Sequence, residues 1–375
     1  MRPAILETQP AFKKILGYHG IVFTGDKQFK VPGFDQYNWL VDVNACFSTA
    51  PSGDIIDRTQ TVTQPWSMHV QRPWQTPESI CDLESCFALR TKDLLDRKQH
   101  LNLLWSGGID STAMLVSFLS QGQTLNQLRV LYTINSIKEN PGFFLLLQQR
   151  DDLELIEFGG DTYLEQQLDG LFVSADGADD ITASLDQSFY AQVGWSGLQQ
   201  SWKDFFFEKT NSVDFVNFCE HWFDHSGCNI KTVLQARWWF YTGCKIQKFP
   251  TSLAGLVRDD QPLPMGFYDC ELFEHWSAHN LHLIMPRADY ASYKQCLKDY
   301  IYAYDQDRHY RDHKQKENSA QLTWYRDKRQ ALQGSQYIML LANGQRIRTP
   351  NLPLLSEREY RACYEHSLDY LFEHV

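Results

Sequence analysis

A chain of 375 residues has material for two or three domains with ample buried cores. Its 43% hydrophobic and 22% charged residues exclude a disordered chain, and a net charge of -11 makes a broad grip on nucleic acid the wrong expectation, a local basic patch at Arg308 to Arg329 aside. Nine cysteines without framework spacing, no apolar leader at Met1-Arg2-Pro3-Ala4 and no run of about 18 apolar residues lead us to expect a soluble cytoplasmic protein with reduced thiols and no membrane partner.

Residues 1–76 read as a short β-rich region, with runs such as Ile21-Val22-Phe23 and Trp39-Leu40-Val41-Asp42-Val43 separated by turn formers. From Pro77 the pattern becomes helical, with Ile80, Leu83, Phe87, Leu94 and Leu95 at helix-like spacing. Residues 77–375 then form the main unit. Leu101 to Trp105 reads as a buried strand ending at a glycine loop, and a helix follows from about Asp110 to Leu119. Leu128 to Ile134 reads as the second strand. Asn140-Pro141 reads as an N-cap and first helical residue, opening a helix to Arg150. Leu153 to Phe158 and Leu171 to Ser174 are further strands, with a short helix from Thr162 to Leu168 between them. Such alternation predicts an α/β fold, a parallel sheet covered on both faces with ligand at the carboxyl ends of its strands. After about Asp186 the chain reads as helical and aromatic. It includes a helix from about Tyr290 to Tyr304 and a charged stretch, Arg308 to Arg329, expected to be solvated.

The loop Ser106-Gly107-Gly108-Ile109-Asp110-Ser111-Thr112 lies between strand and helix. Its glycines permit close backbone approach, the helix start offers unpaired N–H groups to phosphate, and Ser106, Ser111 and Thr112 add hydroxyls. It lacks the lysine of a Walker A loop. Asp110 fits an anion site when a magnesium ion stands between carboxylate and phosphates. Past the fourth strand, Ser174-Ala175-Asp176-Gly177-Ala178-Asp179-Asp180 makes a second small-residue loop, now acidic. Asp110 and Asp179 are positioned to share the metal.

SGGIDS resembles the SGGxDS loop of the N-type ATP pyrophosphatases, among them asparagine synthetase, GMP synthetase, NAD synthetase and argininosuccinate synthetase. The second loop resembles the SGEGADE segment of the asparagine synthetases. That resemblance implies a Rossmann-like sheet of the adenine nucleotide α-hydrolase kind, with a helical C-terminal part and a small β-rich N-terminal extension. It implies ATP and Mg2+ as cofactors, with Ser106, Gly107, Gly108, Asp110, Ser111, Thr112, Ser174 and Gly177 around the nucleotide and Asp110 and Asp179 on the metal. Asp176 stands where the family has a catalytic glutamate, one methylene shorter here, and Ala175 replaces a glycine. Gln315-Lys316-Glu317 is similar to the lysine-bearing segment of asparagine synthetases, β-lactam synthetases and lasso-peptide cyclases. Lys316 is therefore the expected catalytic lysine, with Lys314 the alternative. Met265 to Asp269 resembles the family's PFLD segment, with a structural role.

The implied reaction is adenylation of a small-molecule or peptide carboxylate, releasing pyrophosphate, followed by attack of an amine or ammonia with release of AMP. A separate partner is one source of that ammonia. A glutaminase domain carries a cysteine nucleophile at position 2; here position 2 is Arg and the first cysteine is Cys46, so no glutaminase activity is expected. The other readings are a base- or tRNA-modifying enzyme of the same loop type and a catalytically inactive nucleotide-binding scaffold. Cys219, His221, His225 and Cys228 have zinc-type ligands, but on one helix Cys219 points away from the others, and buried Cys and His in an aromatic helix are the commoner case.

Overall fold

The computed structural model describes residues 18–24, 35–37, 39–40, 48–49, 55–56, 80–121, 125–157, 168–183, 185, 187–224, 228–245, 265–315, 336–341 and 346–348. Strand β1 (Tyr18–Thr24) precedes a short antiparallel pair, β2 (Ser48–Thr49) and β3 (Ile55–Ile56). Helix α1 (Leu83–Leu95) follows, its N-terminus closed by the Asp82 carboxylate accepting from the Ser85 amide. Leu83, Phe87 and Leu94 are buried as their spacing requires, whereas Ile80 precedes the helix and is exposed.

The central sheet then begins. Strand β4 (Leu101–Leu104) leads into α2 (Ile109–Leu119), β5 (Leu128–Tyr132), α3 (Ile134–Glu139), α4 (Pro141–Gln148), β6 (Glu154–Glu157) and β7 (Leu171–Ser174). Strand β5 stops two residues before the expected Ile134 because Thr133 opens α3 through a reciprocal cap with Ser136. Asn140 caps α4 through the Phe143 amide, with Pro141 at the first helical position as expected. The helix expected at Thr162 to Leu168 lies outside the described residues but for Leu168.

Helix α5 (Ala178–Ile181) follows β7 directly. Four helices come next: α6 (Gln187–Gln199), α7 (Trp202–Thr210), α8 (Val213–Asp224) and α9 (Val233–Trp238), the last running into a π-helical turn at Trp239–Lys245. Strand β8 (Met265–Gly266) and α10 (Glu271–Asn280) lead to α11 (Gln295–Asp305) and α12 (Arg308–His313). Strands β9 (Gln336–Leu341) and β10 (Arg346–Arg348) end the described chain, and β9 pairs antiparallel with β1.

The sheet is parallel throughout, in the order β6-β5-β4-β7-β8. Chain direction across it reverses between β4 and β7: β5 and β6 lie to one side of β4, β7 and β8 to the other. In an open parallel sheet the crevice at such a reversal, beyond the carboxyl ends of the two central strands, is where ligands bind. The glycine loop leaves β4 and the acidic loop leaves β7, so topology alone puts them on either side of one crevice. Both strands are fully buried, whereas β6 is an edge strand with both glutamates exposed.

Two large cores support this arrangement. One packs β4, β5 and β7 against α1, α2, α4, α10 and α11 through Leu103, Trp105, Met114, Phe118, Phe143 and Phe273; Leu104, Leu131 and Phe172 are buried on the opposite sheet face. The other is aromatic and helical, built from α6 to α9 and including Trp202, Phe206, Phe215, Trp239 and Phe240. Leu40, 1% exposed, belongs to this second core. No helix among the described residues is long and apolar enough to cross a membrane.

Candidate active site

The glycine loop is held open by its own side chains. The Ser106 amide donates to Ser111 Oγ at 3.1 Å, the two serine hydroxyls share a hydrogen bond of 2.9 Å, and Trp105 Nε1 donates to Thr112 Oγ1 at 3.1 Å. Thr112 is thus fully buried and braces the loop from beneath. Gly107 has φ +80°, and a Cβ there would lie 2.3 Å from the Ser136 carbonyl oxygen of α3, so only glycine fits. Gly108 is the N-cap of α2, leaving the Ile109, Asp110 and Ser111 amides without intrahelical acceptors at the positive end of an eleven-residue helix.

Across the crevice, Ser174 is buried and its Oγ accepts from the Asp176 amide at 3.4 Å. Gly177 takes φ +97° to turn the chain into α5, which carries Asp179 in its first turn. Asp176 and Ala175 are half-buried on the loop itself. The sequence-predicted residues of both loops therefore gather at the strand ends, and Asp110 and Asp179 meet.

They meet on a lysine. Lys294 Nζ lies 2.5 Å from Asp110 Oδ1 and 2.6 Å from Asp179 Oδ1, with its side chain only 2% exposed. The Tyr293 hydroxyl reaches Asp179 at 3.4 Å. Burial opposes charge on Lys294, and the two carboxylates more than reverse that effect, holding its ammonium well above the ordinary lysine value. The continuous helix expected from Tyr290 to Tyr304 is broken here. A 3-10 turn covers Tyr290–Ser292, Lys294 adopts a left-handed φ of 55°, and α11 begins only at Gln295. The break is what turns Lys294 into the crevice, and backbone in this strained region is characteristic of functional positions.

A second buried lysine stands at the other end of the glycine loop. Lys314 Nζ is 3.3 Å from Glu139 Oε1, with the two side chains 8% and 10% exposed. Glu139 borders the glycines themselves: a Cβ at Gly107 would lie 3.0 Å from its Cβ and one at Gly108 would lie 3.4 Å from its Oε1. Tyr310, buried on α12, directs its hydroxyl to the Gly107 carbonyl at 3.4 Å. The charged stretch from Arg308 is therefore not uniformly solvated. Its exposed residues include Arg308, but Tyr310 and Lys314 turn inward because α12 packs on α11 above the loop. Lys316 lies outside the described residues, as does the remainder of that stretch.

The Met265 to Asp269 segment supplies the fifth strand and buttresses the site. Phe267 and Tyr268 are buried, and the Tyr268 hydroxyl donates to the Asp110 carbonyl at 2.9 Å. For magnesium, the donor chemistry fits: two convergent carboxylate oxygens are the hard ligands such an ion accepts alongside phosphate oxygens and water. Among the described residues no group of three or more His, Cys, Asp or Glu side chains could hold a metal unaided. Cys219 is buried in the aromatic core while His221 is exposed on the same helix, and His225 lies outside the described residues.

Lys294 and Glu139 were not legible as site residues. A lysine with no acidic residue three or four positions away on its predicted helix was the available hint for Lys294. For Glu139 it was an acidic residue just before an Asn-Pro cap. No protein-family model matches the chain, and no curated protein matches it.

Proposed function

We propose that this chain is an ATP-dependent, AMP-forming carbon–nitrogen ligase of the N-type ATP pyrophosphatase kind, on a Rossmann-like domain resembling those of the asparagine synthetases. The observation that carries this reading is the convergence of Asp110 and Asp179 from two loops at a topological switch point, beside a glycine loop without a Walker lysine. In this reading the loop amides and the start of α2 bind the pyrophosphate portion of ATP, leaving the α-phosphorus facing the acyl substrate. A substrate carboxylate attacks that phosphorus, and pyrophosphate leaves with the bridging electron pair. An amine or ammonia then attacks the acyl carbon, AMP departs, and the nucleophile's proton is released.

Magnesium, held by Asp110 and Asp179, would supply charge neutralisation for the leaving pyrophosphate. Lys294 places a fixed positive charge at the same end of the site. Lys314, oriented by Glu139, places another beside the glycines, where negative charge gathers on the leaving pyrophosphate. Asp176, half-buried on the acidic loop, takes in this reading the place of the catalytic glutamate of the asparagine synthetases.

The test is product analysis. With ATP, magnesium and pools of carboxylates with amines or ammonia, AMP and pyrophosphate should appear only when a substrate pair is present. Asp110→Ala and Asp179→Ala should each abolish release. Formation of ADP instead defeats the pyrophosphatase mechanism. Stimulation by RNA alone points to a base-modifying enzyme, and tight ATP binding without turnover to a nucleotide-binding scaffold.

A further inference from the structure

The two lysines at the crevice stand at helix ends rather than within helices: the Lys294 carbonyl accepts from the Leu297 and Lys298 amides of α11, and the Lys314 amide donates to the Tyr310 carbonyl of α12. Lys294 sits in the break between the 3-10 turn and α11, and Lys314 is the residue that ends α12. Between them lies a third lysine that faces no carboxylate at hydrogen-bond distance. Lys298, in the first turns of α11 and 1% exposed, donates from Nζ to the Ala291 carbonyl at 2.5 Å and to the Lys314 carbonyl at 3.2 Å. One ammonium therefore joins the backbone three residues before Lys294 to the backbone of Lys314 itself.

We propose that Lys298 is the positioning residue of this site, a buried cationic tie that fixes the lysine at the acidic pair and the lysine at the glycine loop in one register. It touches no substrate. The assignment to catalysis rests on the amide-forming reading, whereas the tie itself does not. A charged donor is the right group for this task, since hydrogen bonds from an ammonium are roughly twice as strong as neutral ones. A buried lysine without a carboxylate to balance it is costly, so such a residue is retained where its charge has work to do.

The charge is also within reach of titration. Burial, together with the Arg287 guanidinium, pushes Lys298 down to about 8, against the weaker opposing pull of Asp299, Asp289 and Asp312. These are the charged groups that act on it from the segment before Lys294, from α11 and from α12. Below about pH 8 the tie is an ammonium; above it the amine is neutral and holds both carbonyls less firmly. The Lys294 ammonium, raised well above 10.5, stays charged across the same window.

Two variants and two readouts test this. Lys298→Met and Lys298→Arg are compared with the native chain, each checked by circular dichroism. The first readout needs no turnover: isotope-coded acetic anhydride labels lysines in proportion to their freedom, and peptide mapping reports Lys294 and Lys314 separately. Labelling of both, taken as the ratio to an exposed lysine of the same chain at the same pH, should rise severalfold in Lys298→Met, and in the native chain relative to Lys298→Arg as pH passes 8. The second is AMP release against pH. Lys298→Met should lose about tenfold or more in kcat, the scale expected when reacting groups are misplaced. The native chain should decline above about pH 8 relative to Lys298→Arg, which keeps its charge. Unchanged labelling in both variants, or the same alkaline decline in Lys298→Arg as in the native chain, overturns the proposal. Absence of AMP release from every protein, with the labelling pattern intact, instead defeats the ligase reading and leaves the tie standing. If Lys298→Met does not fold, the pH-dependent labelling contrast between native chain and Lys298→Arg decides alone.

Discussion

Asp110, Asp179 and Lys294 form a three-charge unit of net charge -1, in which the ammonium touches the same carboxylate oxygens that a divalent cation would use. In the proposed reading lysine and metal would compete for those oxygens unless nucleotide phosphates draw the lysine aside. A unit charge at about 4 Å is worth about 4 kcal/mol at an effective dielectric of about 20, so the competition is strong. Lys294→Met should tighten Mn2+ binding in the absence of nucleotide by tenfold or more on that scale, measured by electron paramagnetic resonance. An unchanged Mn2+ affinity would show that lysine and metal do not share these ligands. The pH sign is also fixed. A lysine raised above 10.5 contributes its stabilisation fully below that value and loses it only as pH climbs through the raised one. The triad accordingly survives neutral and mildly alkaline conditions, and an alkaline limb near pH 8 belongs to Lys298. At this scale the sequence disclosed the acidic partners and not the basic one. Asp110 and Asp179 sit in recognisable loops, whereas Lys294 reaches them across 184 and 115 residues of chain, a contact no local pattern encodes.

Among elements, the strands and the glycine loop were the most readable, because burial on both faces writes itself as near-continuous apolar runs such as Leu101 to Leu104, interrupted by Asn102 alone, and Leu171 to Val173. The helix break at Lys294 was not, since Tyr290 to Tyr304 keeps a helical pattern straight through it. A left-handed non-glycine residue costs roughly 1 kcal/mol, and two short ion pairs plus the turn closed by Asp289 outweigh so small a local preference. The Met265 to Asp269 segment shows how one element holds another. Arg90 of α1, 6% exposed, donates to the Phe267 carbonyl at 3.0 Å and to the Gly266 carbonyl at 2.9 Å, and the next residue, Tyr268, grips the backbone of Asp110. Arg90→Met removes the guanidinium donor from both carbonyls, of which Gly266 keeps the Asp269 amide at 3.3 Å, and should cost about 1–3 kcal/mol in urea unfolding. Tyr268→Phe removes a single hydroxyl and should cost about 1 kcal/mol. Both should weaken ATP binding, Tyr268→Phe out of proportion to its small stability effect because it acts directly on Asp110 in the first turn of α2. Equal losses of stability and affinity in the two variants would show that the segment only supports the fold.

For the whole molecule, the strand order explains why two loops 68 residues apart in sequence, at Gly108 and Asp176, face one crevice, and the order itself follows from a chain that runs to one sheet edge and returns past its starting strand. The α/β alternation was readable; the dependence of the crevice on the helical half was not. Helix α5, which carries Asp179, is fastened to that half by Thr242 Oγ1 donating to the Asp180 carbonyl at 2.6 Å, by Ser277 Oγ donating to the Ile181 carbonyl, and by Thr182 Oγ1 against the Tyr293 hydroxyl at 3.2 Å. Ala178 and Ile181 of α5 are buried in the sheet core, so the acidic wall of the crevice leans on both cores, whereas the glycine loop rests on the sheet core alone. Leu40 enters the aromatic core from far up the chain, and its carbonyl accepts from Arg237, whose guanidinium lies over the Phe189 and Tyr241 rings at 4.3 and 4.6 Å. Leu40→Ala should remove about 2–5 kcal/mol of stability, read from the urea midpoint. Its effect on the two walls should differ. The glycine loop is braced inside the sheet core by Trp105 and Ser136, remote from Leu40, so ATP affinity should change by no more than about twofold, as expected for independent sites. Hydrogen exchange of the Asp179 to Ile181 amides should quicken, because the Thr242 and Tyr293 hydroxyls that bind α5 and its cap come from segments packed in the core that Leu40 fills. Slow exchange at α5 with a lowered midpoint would place Leu40 in a layer that stabilises the helices without reaching the crevice.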